Sequence, residues 1–63
     1  MRMPWGKFEG KMIYEVPNDY LDWLLEHEHE NHKTFTDKLF FDAVRREMRE
    51  RKGSGYYIPA EYF

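Results

Sequence analysis

Sixty-three residues, 35% of them charged and 19% aromatic, with a net charge of -2 and no cysteine, describe one small domain without disulfides or a thiolate zinc site. A chain this short buries only about 60% of its unfolded surface, so large rings have to supply much of its core. No run approaches the roughly 20 apolar residues of a bilayer span and no secretory h-region opens the chain, so a cytoplasmic protein without membrane contact is expected.

Charge is unevenly spread. Residues 1–12 sum to +2, residues 13–32 carry six acids and no Lys or Arg, and residues from Lys33 onward return to +2. Nucleic-acid binding through bulk charge is thereby excluded, and only a local basic patch could serve it.

The segment 1–16 is short, glycine-punctuated and rich in rings, which predicts two strands joined by a turn at Phe8-Glu9-Gly10. Gly10 fits a positive φ there and Gly6 a bulge or a close backbone approach. Pro17 then disfavours a helical Val16, and Asn18 reads as the N-cap of a first helix, from about Asp19 to Glu28 within residues 18–30. Its apolar stripe is Tyr20, Leu21, Leu24 and Leu25, with Trp23 at the edge.

Thr34 and Asp37 have capping-box spacing and open a second helix over 34–52. Leu39, Phe40, Ala43, Val44 and Met48 recur at helical intervals, with Phe41 widening the stripe. Asp42–Arg46 and Glu47–Arg51 are favourable i,i+4 pairs, and Gly53 is the natural helix stop. Residues 53–63 form an extended aromatic tail, "YYIPAEYF" at its end, that either folds back or meets a partner. The expected class is α+β: a single domain, 1–63, with an N-terminal β-hairpin packed on two helices.

"PWGKFEGK", residues 4–11, fails as a phosphate loop, because G-x-x-x-x-G-K-[ST] requires one more residue between the glycines and a hydroxyl after Lys11. As a nucleic-acid grip it offers Lys7 and Lys11 to phosphates and Trp5 or Phe8 to a base. The same rings would equally serve a thin core. "RREMRERK", residues 45–52, could extend the patch through Arg45, Arg46 and Arg49.

"EHEHENH", residues 26–32, lacks the four-residue spacing of a helical zinc pair, since His27 is answered by Asn31 and His29 by Lys33. Thr34, Thr36 and Ser54 suggest no nucleophile constellation. No catalytic residue, metal, cofactor or small-molecule substrate is expected.

Residues 3–27, "MPWGKFEGKMIYEVPNDYLDWLLEH", resemble the pattern M-P-[FW]-G-K-[YF]-x-G-K-x-[IL]-x-x-[VI]-P-x-[DS]-Y-L-x-W-L. Pro4, Gly6, Lys7, Gly10, Lys11, Pro17, Tyr20, Leu21, Trp23 and Leu24 carry the likeness. The pattern is that of small bacterial and phage proteins described as putative quorum-sensing-regulated virulence factors, and it is similar to the C-terminal module of exodeoxyribonuclease X-like nucleases. The resemblance implies a compact hairpin followed by helices, without catalytic residues, standing alone or attached to DNA-processing enzymes.

Two expectations follow. The first is a non-catalytic accessory of nucleic-acid metabolism, binding DNA or RNA through Lys7, Lys11, Trp5, Arg45, Arg46 and Arg49. The second is a protein-interaction module docking on a larger complex through Glu26 of the acidic helix and Tyr56, Tyr57, Tyr62 and Phe63 of the tail, because rings are enriched at interfaces.

Overall fold

The computed structural model describes residues 1–59. A single 3-10 turn, Ile13–Glu15, precedes three α-helices: α1, Asn18–Glu26; α2, Glu28–Asn31; and α3, Phe35–Ser54. The α+β expectation is overturned, because no strand and no β-hairpin occur among the described residues. One antiparallel bridge joins Arg2 to Met12. Between them the Glu9 N–H donates to the Gly6 carbonyl at 3.1 Å and the Lys11 N–H to the Phe8 carbonyl at 3.0 Å. Two successive tight turns consume the length that a strand ladder would have needed.

Gly6 has a φ of +90°, and a Cβ built there would stand 2.7 Å from the Tyr20 hydroxyl. The expected close approach is therefore real, but its partner is α1 and not a paired strand. The loop folds onto two helices: Trp5 meets Phe40 of α3 edge-on, centroids 5.5 Å apart, and Phe8 meets Tyr20 of α1 at 4.9 Å.

The core is Met3, Ile13, Val16, Leu21, Leu24, Phe40, Phe41 and Val44. It forms where α1 crosses α3 and the 13–16 corner closes the end. Leu39, expected in the stripe, is exposed, because it lies about 100° around the helix from Phe40.

The start of α3 is the expected capping box: Thr34 Oγ1 accepts from the Asp37 N–H at 3.2 Å, and Asp37 Oδ2 accepts from the Thr34 N–H at 3.1 Å. The bond from the Lys33 N–H holds the Asp37 carboxyl below its ordinary 3.8 against an opposing desolvation, with smaller help from the bonds of Thr34. The helix runs through Gly53 and stops at Gly55, whose φ is +76°. A left-handed residue suits glycine and turns the chain back.

Candidate functional site

Asn18 is not the cap that the sequence suggests. It is the first residue of α1, behind an N-cap of Pro17, and its side chain bonds to residues outside the helix. Its backbone N–H donates to the Ile58 carbonyl at 3.1 Å, while Asn18 Oδ1 accepts from the Ile58 N–H at 2.9 Å. A residue of the tail thus satisfies one of the helix's otherwise unpaired N–H groups and is gripped from both sides.

The second grip comes from α3. Arg51 is only 2% exposed, and its guanidinium spends its donors on three partners: Asn18 Oδ1 at 2.9 Å, the Ile13 carbonyl at 3.1 Å and Glu47 Oε2 at 2.8 Å. The Tyr56 ring lies 5.6 Å from its guanidinium carbon, and the Tyr56 N–H donates to the Arg51 carbonyl at 3.0 Å. One buried arginine therefore ties the 13–18 corner, α3 and the tail together. Sequence reasoning placed Arg51 only in a surface pair with Glu47. The overlooked signal is positional, since Arg51 falls seven residues after Val44 and eleven after Phe40, on the buried stripe.

With the tail held there, an open groove of about 590 Å³ lies beside it, lined by Phe8, Lys11, Tyr14, Glu15, Pro17, Tyr56, Tyr57, Ile58 and Pro59. Tyr14 and Tyr57 are each 58% exposed. The floor is apolar, with one cation and one acid among the lining residues. A second recess, of about 210 Å³, is lined by Met1, Ile13, Tyr14, Ala43, Arg46, Glu47 and Glu50. Tyr14 borders both, with Lys11 in the lining of the first and Arg46 in that of the second.

The remaining expected nucleic-acid residues are dispersed or occupied. Trp5 is half-buried against Phe40 and Phe41. Lys7 Nζ lies 5.9 Å from the Phe8 ring centroid, and the Lys7 backbone N–H donates to the Tyr20 hydroxyl at 3.3 Å. Arg45 is paired with Glu28 of α2 and with Asp42. Asp42 binds Lys38 at 3.1 Å in place of the expected Arg46. The Lys38 bond, helped by the charges of Lys38, Arg45 and Arg46, lowers the Asp42 pKa despite an opposing desolvation effect. Arg46 and Arg49 are exposed.

Of the expected protein-binding residues, Tyr56 and Tyr57 border the groove, Glu26 is exposed on α1, and Tyr62 and Phe63 lie outside the described residues. His29 and His32 line a shallow recess with Leu25 and Glu28, and no metal-holding cluster occurs among the described residues. No helix among the described residues is long and apolar enough to cross a membrane.

Residues 1–33 match the model of a family described as putative quorum-sensing-regulated virulence factor. The chain belongs to this family. No curated protein and no solved structure matches it. The family segment contains the loop, the 13–16 corner, α1 and α2, but Phe40, Phe41, Val44 and Arg51, which complete its core and hold its corner, lie beyond it.

Proposed function

We propose that this chain is a non-catalytic protein-interaction module, and that its groove beside the tail takes an extended apolar segment of a larger protein. The observation that carries this reading is the groove's composition. Tyr14, Tyr56 and Tyr57 remain exposed around the half-buried Ile58 and Pro59, with Pro17 buried beneath them. Ring-and-proline surfaces of this kind suit extended, proline-containing peptides, which lose little entropy on docking. The family description, a virulence factor under quorum-sensing control, names no reaction, and a binding module is compatible with it.

The test is the hydrodynamic size of the tagged chain purified from its native cells at native expression. The intact chain is expected to elute in a stoichiometric complex, and Tyr14→Ala with Tyr57→Ala to elute as the free chain. A complex that survives the double substitution overturns the groove as the contact.

One observation favours a second reading, an accessory role in nucleic-acid metabolism of the kind the exodeoxyribonuclease X-like resemblance suggests. Exposed Tyr14 borders both recesses, and Lys11 lines one and Arg46 the other; cations and an exposed ring are the residue types that single strands use. Salt-dependent binding of labelled single- and double-stranded DNA, lost in Lys11→Glu with Arg46→Glu, is the expected result under that reading. Binding unchanged by that pair of substitutions would remove it.

A further inference from the structure

We infer that the outer face of α1 around Trp23 is a docking surface for an arginine-bearing segment of another protein. The inference rests on the reading of the chain as an interaction module, but Trp23, Asp19, Glu26 and His27 do not line the groove. Trp23 is 47% exposed on a helix whose Leu21 and Leu24 are fully buried, so this large ring stands outside the core.

The ring is also held in place. His27 stacks on it with centroids 4.5 Å apart, and His27 Nδ1 lies 2.8 Å from the Trp23 carbonyl. A carbonyl only accepts, so Nδ1 carries the proton and the imidazole is anchored parallel to the indole. Tyr20, at 5.9 Å, continues the row one turn earlier.

The occupant follows from charge. Asp19 precedes Trp23 by four residues and Glu26 follows it by three, so both carboxylates share its face, one turn to either side. Both are exposed, as is Asp22 beside them, and none of the three is in an ion pair among the described residues. No Lys or Arg occurs between residues 13 and 32 to answer them locally.

A guanidinium laid on the part of the indole that His27 leaves exposed gains cation–π attraction and presents its N–H groups to the nearby carboxylates. An ammonium is a compact, strongly hydrated point charge that cannot stack, so lysine fits the face less well. The same acids repel phosphate, which argues against a nucleic acid on this helix.

The test is an NMR titration of the 15N-labelled full chain with three peptides of equal length, alternating Arg-Gly, Lys-Gly and Glu-Gly. The arginine peptide is expected to shift the Trp23 indole N–H and the His27 amide, and to bind about threefold more tightly than the lysine peptide, the size of an exposed cation–π contact. Trp23→Leu and, separately, Asp19→Asn with Glu26→Gln should each weaken it by at least that factor, and the glutamate peptide should shift neither signal. An unmoved Trp23 indole, equal affinity for the lysine peptide, or wild-type affinity in either variant overturns the inference.

Retained dispersion in the amide spectrum reports that Trp23→Leu is folded, and the Asp19/Glu26 variant, altered only at exposed positions, carries the test if it is not. Tyr14→Ala with Tyr57→Ala should leave the titration unchanged, so failure at the groove and failure at α1 are read separately.

Discussion

Replacing Arg51 with Met removes the guanidinium while leaving most of its stem volume. Three acceptors lose a charge-assisted bond, Asn18 Oδ1, the Ile13 carbonyl and Glu47 Oε2, and the first two, which are buried, each lose about 1.5–3 kcal/mol. Neither of these two is wholly orphaned, because Asn18 Oδ1 keeps the Ile58 N–H and the Ile13 carbonyl keeps the Val16 N–H. Glu47, whose side chain is 19% exposed, can turn toward water. The lower end of the range therefore applies to each of the two buried bonds, for a loss of about 3 kcal/mol.

A domain of this length has a total stability of roughly 3–9 kcal/mol, so the loss is a large part of the whole. Urea denaturation followed by far-UV circular dichroism should show the midpoint falling by about 3 M, for a slope near 1 kcal/mol/M. In the same variant the Ile58 amide should exchange faster than the buried amides of α3, because Asn18 loses the partner that orients it. A midpoint change below about 1 M, or an Ile58 amide as protected as before, would refute the assignment of Arg51 as the tie between corner and tail.

Gly6→Ala puts a Cβ at a φ of +90° and 2.7 Å from the Tyr20 hydroxyl, and should cost about 1–3 kcal/mol, read as a drop in melting temperature. Thr34→Ala removes the α3 cap and should cost about 1 kcal/mol in the same assay. Asp37 and Asp42 have lowered pKa values, so their contribution is full above the unfolded-state carboxylate value and lost as pH falls through the lower folded one; acid titration of Asp37→Asn should show less of this loss below about pH 4. A peptide of residues 1–33 should show no cooperative unfolding by circular dichroism, because it lacks Phe40, Phe41 and Val44.

Helix α3 was legible because its signals are local: Thr34 and Asp37 bond within one turn, and Phe40, Phe41 and Val44 keep helical spacing. The first loop was not, since glycines four apart suit a hairpin as well as the two tight turns that occur. Choosing between them depends on Trp5 and Phe8 packing on two different helices, which local pattern does not contain. Asn18 was misread for a similar reason: its cap-like chemistry is spent on Ile58 and Arg51, residues 40 and 33 positions away. The helix stop moved from Gly53 to Gly55 because Tyr56 must turn back to reach the Arg51 carbonyl. The tail tyrosines were legible as candidates, but the groove beside them exists only through these long-range bonds.

Site-specific photo-crosslinking in native cells tests the central claim most directly, with a benzophenone side chain placed at Tyr57 in the groove or at Arg49 on the outer face of α3. The groove position is predicted to give one discrete protein adduct, abolished by Tyr14→Ala and absent from the Arg49 position. An adduct of equal yield from both positions, or one indifferent to Tyr14, would contradict the groove as the binding face.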